Sequence, residues 1–237
     1  MMHAVHDSRW GWPTSAGALV EMQHALARAA RDVPPWSPAD TAVVGGCFVA
    51  FARGEQGPGA PGDHAWAGAV AWHDGRVVAE AVVFDHVPAA YEPGVLALRE
   101  GPILEAAVRA LATQPDVLLV DATGLDHPRR AGLALHLGAV LDVPTVGVTH
   151  RALVAHGDMP AGEQRGASAP LTLDGEVVAH WIRTRAGTRP VIAHAAWRTT
   201  PSTATRVVLE ASPGDARTPA PLQHARRIAR AARRGQV

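Results

Sequence analysis

A carboxylate at the end of an apolar run is the first feature of this 237-residue sequence that suggests chemistry. Asp121 follows residues 118–120 (LLV), a pattern typical of a buried strand, and functional groups of open α/β sheets gather beyond the carboxyl ends of strands. Because a buried, unpaired carboxylate is costly, Asp121 either caps a turn or a nearby helix or binds a ligand. If Glu100 faces Asp121, the two carboxylates form a hard-oxygen site suited to Mg²⁺ or Mn²⁺.

The segment that follows, residues 122–132, contains several cationic side chains. Pro128 occupies a position where a helix can begin, and His127, Arg129 and Arg130 surround it. Cations at a helix N-terminus oppose the helix dipole, so they are not expected there for stability. Backbone N–H groups at such an end bind anions, and we therefore expect an anion to dock here.

A loop bracketed by proline and glycine, residues 91–94, contains Tyr91, the single tyrosine of the sequence. An aromatic residue on a loop tip is often a minor packing residue, but it can also wedge between bases or stack on them. Further along, Arg99 precedes Glu100. This pair is either an ordinary surface ion pair, which contributes little to stability, or part of the site around Asp121.

Apolar periodicity places these residues between predicted strands and helices. Helices are predicted over 19–31, 95–113 and 129–141 and at the C-terminal end, and strands over 41–51, 66–72, 76–84, 116–121, 144–148 and near 191. Asp74-Gly75 and Asp174-Gly175 are hairpin signals, the second within residues 171–184. We predict a mixed α/β fold in which an antiparallel three-strand meander is followed by parallel strands with crossover helices. An arm at 1–16 and a single domain at 17–237, ending in a basic helix, complete the prediction.

Composition narrows the class of function less than these motifs do. Lysine and arginine together number 22 and acidic residues also number 22, so net charge does not indicate a polyanionic partner. All of the 22 basic residues are arginine, so no lysine ammonium is available for catalysis. No acid follows Asp215, whereas six arginines do. They form either a solvated helix or a flank that contacts phosphates.

The single cysteine, Cys47, cannot form an intramolecular disulfide, which indicates a reducing compartment. The sequence contains no apolar run of the length that a membrane span needs, and its first residues do not have the pattern of a signal peptide. We therefore expect a cytoplasmic protein that is not inserted in a membrane.

Three runs together resemble the endonuclease V family, whose members nick nucleic acid near deoxyinosine or inosine. They are YEPGVLALREGP (91–102), DVLLVDATGLDHPRRAGLALHLG (116–138) and VPTVGV (143–148), with further likeness at IRTRAGTRP (182–190). The resemblance implies a ribonuclease H-like fold, a monomer, and metal-dependent cleavage of DNA or RNA one nucleotide 3′ of the lesion. It therefore implies a partner, nucleic acid that contains inosine, and a role in nucleic-acid repair.

The resemblance also implies roles for individual residues. Glu100 and Asp121 match the carboxylates that bind the metal, Mg²⁺ or Mn²⁺, and Arg99 and His127 match further catalytic positions. Tyr91 matches the wedge that holds the strand apart beside the flipped base. The matching substrate-binding positions are Tyr91, Pro93, Gly94, Gly124, Leu125, Arg129 and His150.

The sequence departs from the family's pattern at four elements of the active site. Phe48 stands where the first strand of the family carries a metal-binding aspartate, so the set of ligands is incomplete. His150 replaces a lysine, and Arg226 replaces a histidine, with His224 two residues earlier. The run 194–197 (HAAW) replaces Ser-Pro-Gly-His.

Three functions are compatible with these departures. The chain is a divergent nuclease in which Asp126 or Asp85 replaces the lost carboxylate, or in which His150 binds a softer metal such as Mn²⁺ or Zn²⁺. Alternatively, it is a catalytically impaired protein that binds deaminated or distorted nucleic acid without cleaving it. The third alternative is a metal-dependent phosphodiesterase that acts on a small nucleotide.

Overall fold

The computed structural model describes residues 9–39, 41–52, 59–214 and 216–235. In this part of the chain, eight strands form one sheet in the order β3-β2-β1-β4-β5-β8-β7-β6. The strands are β1 Val44–Phe51, β2 His64–His73, β3 Arg76–His86, β4 Val117–Val120, β5 Thr145–Thr149, β6 Ser168–Leu173, β7 Glu176–Ile182 and β8 Val191–Ala195. The helices are α1 Ala16–Asp32, α2 Leu96–Arg109, α3 Leu133–Leu141, α4 Pro201–Glu210 and α5 Ala220–Gly235.

The sheet is mixed in the predicted way. β1, β2 and β3 form an antiparallel meander, and β1, β4 and β5 run parallel. β8, β7 and β6 continue the sheet as antiparallel neighbours. Both predicted hairpins turn at Asp-Gly pairs whose two residues have positive φ, 47° and 77° at Asp74-Gly75 and 51° and 79° at Asp174-Gly175. Such two-residue turns match the right-handed twist of the strands they join.

Helices cover both faces of the sheet and define where the core lies. Alternate residues of β1 and β4, such as Cys47 and Leu118, pack with α1, α2 and α3 on one face. On the other face, Val117 and Leu119 pack against α4, while Val70 packs against α5. The central strands are therefore buried on both sides, which explains their nearly continuous apolar sequences.

Two glycines determine how closely α5 approaches the sheet. A side-chain carbon at Gly46 in β1 would lie 2.5 Å from the backbone of Pro221, and one at Gly68 in β2 would lie 2.6 Å from the carbonyl oxygen of Ala225. The backbone of α5 thus rests directly on β1 and β2. This contact sets the distance of the first half of α5 from β1 and β2.

The predicted helix start at residue 129 is wrong, because α3 begins at Leu133. Residues 121–132 form an irregular loop closed by its own backbone, with Gly132 donating to the carbonyl oxygen of Gly124 at 2.9 Å and Arg130 donating to that of His127 at 2.8 Å. Arg130 has a φ of 55°, which is not helical. The cationic residues of this segment therefore lie outside the first turn of α3.

The predicted N-terminal arm falls partly outside the described residues, since 1–8 are among those left undescribed. The indole of Trp12 packs against the imidazole of His136, with ring centroids 4.4 Å apart, and donates to Glu105 at 2.7 Å. Residues 9–15 thus lie against α2 and α3. Within the described residues, none of the helices has both the length and the apolar character that crossing a bilayer requires.

Candidate functional site

Asp121 directly follows β4, and Glu100 of α2 lies close enough for the charge of Asp121 to act on its carboxyl. Cys47 of β1 is the register partner of Val120, so the next residue of each strand, Phe48 and Asp121, stand side by side. Burial, and after it the negative charge of Asp121, raise the pKa of the Glu100 carboxyl to about 7, with the charge of Arg99 opposing both effects. Burial also raises the pKa of the Cys47 thiol, with both carboxylates adding to the effect.

The carboxylate of Asp121 has a cationic partner from α5. Nη2 of Arg226 donates to Oδ2 of Asp121 at 2.9 Å, and both side chains are about 30% exposed, at 28% and 30%. The guanidinium carbon of Arg226 lies 5.0 Å from the centre of the Phe48 ring, and that of Arg230 lies 5.6 Å from it. Phe48 itself packs against Val70 and the buried side of α5. An arginine and a phenyl ring therefore occupy the side of Asp121 that faces α5.

This arrangement does not fit a divalent metal ion. Mg²⁺ requires near-octahedral oxygen ligands, whereas Phe48 supplies none and Asp121 already accepts from a guanidinium. Among the described residues, no cluster of three or more His, Cys, Asp or Glu side chains could hold a metal.

The two acids considered as replacements for the missing ligand lie elsewhere. Asp126 is buried and accepts the backbone N–H groups of three consecutive residues, 153–155, at 2.8–2.9 Å. Asp85 lies in β3, which is separated from β1 by β2. Its partner in β2 is Ala65, whereas the partner of Phe48 is Gly68, three residues further along the strand. His150 lies close enough to sense the charge of Asp121, but its pKa is lowered chiefly by burial and by Arg217.

The loop of residues 91–94 is held against the loop of residues 121–132. The carbonyl oxygen of Gly94 accepts from Nη2 of Arg129 at 2.6 Å and from Gln23 at 3.0 Å, and Nε2 of His127 lies 3.2 Å from it. Burial, followed by the charge of Arg129, lowers the pKa of His127 to about 4, so this imidazole is neutral. Since Nδ1 of His127 accepts the backbone N–H of Arg129, Nε2 carries the proton that is donated to Gly94.

The remaining predicted residues around this loop pair have different surroundings. Tyr91 is 49% exposed, and Pro93 beside it is exposed. Gly124 lies so close to β8 that a side-chain carbon would be 2.1 Å from the carbonyl oxygen of Ala195, and Leu125 donates its N–H to that same oxygen at 2.8 Å. The ring of Tyr91 is therefore exposed on the loop whose Gly94 is bonded to Arg129.

Arg99 does not form the ion pair with Glu100 that the sequence raised as one alternative. Its guanidinium is buried, donates to Asp63 at 2.7 Å and to the carbonyl oxygen of Ala89 at 2.6 Å, and stacks on Phe51 at 4.4 Å. These contacts tie the loop before β2 to the loop before α2. Arg99 therefore holds backbone segments in place, and its charge reaches Glu100 only at longer range.

The sequence did not predict that Asp126, Thr149 and His194 lie together beside the site. Nδ1 of His194 lies 3.6 Å from Asp126, and Nε2 lies 2.7 Å from the hydroxyl of Thr149. Burial lowers the pKa of His194 to about 4. The group connects β8 to the end of β5, directly before His150. Its only sequence signal was the departure at 194–197, because the three members are far apart in the chain.

Comparison with known proteins identifies the family of this chain. A sequence model of endonuclease V matches residues 24–227. An endonuclease V of Myxococcus xanthus is 44% identical over 156 residues, 65% of this chain and 64% of that protein, so this match spans less than two thirds of that relative. The crystal structure of endonuclease V from Streptomyces avermitilis has a TM-score of 0.81 at 32% identity and covers 95% of this chain and 96% of that one.

The fold is also shared with a protein solved together with nucleic acid. Endonuclease V of Ciona intestinalis, in complex with a 24mer DNA containing an inosine followed by a ribo-adenosine, has a TM-score of 0.72 at 19% identity. That likeness covers 93% of this chain and all of the other, and it bears on the fold alone. The ribonuclease H-like fold expected from the sequence is confirmed. With its central sheet, its paired carboxylates and the match over residues 24–227, this chain belongs to the endonuclease V family of nucleases.

Proposed function

We propose that this chain binds nucleic acid at a deaminated purine and has lost the metal-dependent cleavage of its family. The observation that supports the loss is the contact of Arg226 with Asp121, 2.9 Å long, beside the Phe48 ring. A guanidinium bonded to a ligand carboxylate repels a divalent cation and occupies one of its ligand oxygens. Paired metal ions would stabilise both the attacking and the leaving oxygen of phosphodiester cleavage, and the described residues contain no cluster of three or more His, Cys, Asp or Glu side chains that could hold such ions.

Recognition is supported by the parts of the site that keep the family's pattern. The loops of residues 91–94 and 121–132 are joined through the carbonyl oxygen of Gly94 and need no metal for this contact. Tyr91, at 49% exposure, is available to stack on a base or to wedge beside one. The inosine-containing DNA bound by the Ciona protein indicates which ligand to test first.

Retained cleavage is the second candidate, and Glu100 is the observation in its favour. A carboxyl with a pKa raised to about 7 has the acidity expected of a general acid or base at neutral pH. Arg226 would then supply the positive charge next to the reacting phosphate. This reaction differs from the family's route because it would not require a divalent cation.

One set of incubations separates these functions. A labelled oligonucleotide with one deoxyinosine, its ribo-inosine equivalent and the matching adenosine strand are incubated with the protein in Mg²⁺, in Mn²⁺ and in EDTA. We expect tighter binding to the inosine strands by fluorescence anisotropy and no nicking in any of the three conditions. Tyr91→Ala is expected to remove the preference for inosine, whereas Tyr91→Phe, which keeps the ring, is expected to retain it.

Three results would contradict the proposal. Nicking that needs Mg²⁺ or Mn²⁺ and disappears in Asp121→Asn would show that the family reaction persists. Nicking that survives EDTA and disappears in Glu100→Gln would favour the second candidate. Equal binding to the inosine and adenosine strands would remove recognition of the deaminated base, whatever the outcome of the cleavage assays.

A further inference from the structure

An arginine-lined cavity lies beside the site, where the chain enters α5. It has a volume of about 370 Å³, and four of its described lining residues are arginines, Arg217, Arg226, Arg227 and Arg230. None of the other described lining residues is acidic; they are Ala216, Thr218 and Gln223. The cavity adjoins the N-terminus of α5, a 16-residue helix whose dipole also favours negative charge.

Positive charge around the cavity exceeds the negative charge that the described residues supply. Arg226 pairs with Asp121, and Arg227 reaches Glu80 at 3.8 Å with both side chains more than half exposed. For Arg217 and Arg230, no ion pair is found among the described residues. Burial, followed by the charge of Arg189, lowers the pKa of Arg217, so neighbouring cations repel one another here.

Three nitrogen atoms of this cluster are buried and have no hydrogen-bond partner among the described residues. They are Nε of Arg217, Nε of Arg226 and Nδ1 of the adjacent His150. Buried polar groups without partners are costly in a folded protein, and the oxygens of a bound anion would give the two guanidinium nitrogens acceptors. The His150 imidazole senses Arg217 and Arg226 directly, so these unpaired groups belong to one cluster.

The surrounding backbone holds the arginines in place before any ligand arrives. Nη2 of Arg217 donates to the carbonyl oxygen of Pro190 at 2.9 Å, and Thr184 donates to the carbonyl oxygen of Arg217 at 2.6 Å. Arg226 is fixed by the close contact of α5 with Gly46 and by its bond to Asp121. Each guanidinium still has N–H groups that these contacts do not use, in the planar fork that matches the oxygens of a phosphate.

We infer that this arginine cavity is a phosphate-binding site, in which Arg217, Arg226 and Arg230 bind the ligand without a metal ion. Its ligand is a phosphate group, either of a nucleic-acid backbone or of a free phosphate ion. For the backbone, the inference deepens the proposed function, because the same strand would reach both this cavity and Tyr91. The assignment of the cavity itself does not depend on recognition of inosine.

The test uses Arg217→Gln and Arg230→Gln, which leave the Arg226–Asp121 pair intact. Arg28→Gln is the matched control, since Arg28 is an exposed arginine on α1. Inorganic phosphate is titrated at constant ionic strength, with chloride as the balancing anion, and the melting temperature is recorded. We expect phosphate to raise the melting temperature of the wild type and of Arg28→Gln, and to raise that of the cavity variants by less than half as much.

The second probe is a single-stranded DNA oligonucleotide without inosine, whose affinity is measured over a range of salt concentrations. Each backbone phosphate bound by an arginine contributes about 0.7 to the slope of log K against log salt for a single strand. Arg217→Gln and Arg230→Gln are therefore each expected to reduce that slope by about 0.7, and Arg28→Gln to leave it unchanged.

The two probes separate the sources of the phosphate group and the two proposals. A reduced response to inorganic phosphate alone would assign the cavity to a free phosphate ion, and a reduced salt slope would assign it to the nucleic-acid backbone. If both cavity variants behave like Arg28→Gln with both probes, the inference is wrong, even if the protein prefers inosine. If the cavity variants lose binding while wild type shows no preference for inosine, the cavity stands and the proposed recognition fails.

Discussion

In the proposed function, the Arg226–Asp121 ion pair and the Phe48 ring stand in place of a metal site, so restoring metal binding requires both Arg226 and Phe48 to be changed. Phe48→Asp alone would place a second carboxylate beside Asp121 while Arg226 still neutralises one of them. Arg226→His alone would remove the partner of Asp121, and Phe48 would still supply no atom that can bind a metal. Neither single change supplies enough oxygen ligands for Mg²⁺ or Mn²⁺.

If the proposed loss of the metal site is right, the double variant Phe48→Asp/Arg226→His is expected to bind a divalent metal more tightly than the wild type does. At a Mn²⁺ concentration 100 times its dissociation constant, binding to the folded state stabilises a protein by about 2.7 kcal/mol. Urea unfolding with and without Mn²⁺ measures this gain independently of any activity, and deoxyinosine nicking measures the function. Adding Asp121→Asn to the double variant should remove both effects; a wild type that is already stabilised equally by Mn²⁺ would contradict the ion-pair account.

Among individual residues, the sequence identified the carboxylates Glu100 and Asp121 but not the contact of Asp121 with Arg226. Asp121 was recognisable because it ends an apolar run. A short stretch of sequence is enough to show that it lies at the carboxyl end of a strand. Its contact with Arg226 joins residues 105 positions apart and depends on how α5 lies on the sheet. The same limit applies to the Asp126–His194 contact, since neither residue has a neighbour in sequence that predicts the other.

Among the elements, α5 has the strongest effect on the site, because two glycines set its distance from the sheet. Gly46→Ala would place a carbon 2.5 Å from the backbone of Pro221, which cannot move without shifting the start of α5. Overpacking of this kind typically costs about 1–3 kcal/mol. We expect Gly46→Ala to lose stability of that size in urea unfolding and to weaken oligonucleotide binding, because Arg226 and Arg230 move with the helix.

Gly17→Ala provides the control for that variant. Gly17 lies in the first turn of α1, and a side-chain carbon there meets no atom within 4 Å. Replacing it should stabilise the protein by roughly 0.4–1 kcal/mol through the unfolded chain and leave binding unchanged. If Gly46→Ala proves as well tolerated as Gly17→Ala, the close contact of α5 with β1 does not position the arginines.

The elements that the sequence predicted correctly are those specified by local patterns. Both hairpins turn at Asp-Gly, where the residues themselves favour positive φ. The start of α3 was misplaced because Pro128 is a residue typical of the first position of a helix, whereas α3 begins at Leu133. What decides against it is the bond from Gly132 to Gly124, together with Arg130 binding Asp174 across the loop. These are tertiary contacts, and no local pattern contains them.

Across the whole molecule, family membership and chemistry depend on different residues. The match over residues 24–227 follows from the sheet, the helices and the loops that join them. Whether the site holds a metal depends on a few side chains, above all Phe48 and Arg226. The fold of the family is present with these two residues in place. A fold shared with nucleases therefore does not by itself determine which reaction this chain catalyses.

Buried imidazoles make the stability of the whole molecule dependent on pH. His127, His136 and His194 each have a pKa lowered from 6.5 to about 4, mainly by burial. The unfolded chain therefore takes up protons near pH 6.5 that the folded protein resists until about pH 4. Stability is at its full value above pH 6.5 and is lost as the pH falls from 6.5 towards 4.

Each pKa unit corresponds to about 1.4 kcal/mol, so each of these histidines accounts for up to about 3 kcal/mol at pH 4. Glu100 acts in the opposite direction, since its raised pKa favours the folded state as the pH falls from 7 towards 4.5. With three histidines against one carboxyl, we expect a net loss of stability and unfolding before pH 4.

His194→Gln should flatten the dependence of urea-unfolding free energy on pH between 6.5 and 4, whereas replacing the exposed His24 with Gln should not. A wild-type free energy of unfolding that stays constant across this range would contradict the assignment of neutral, buried imidazoles.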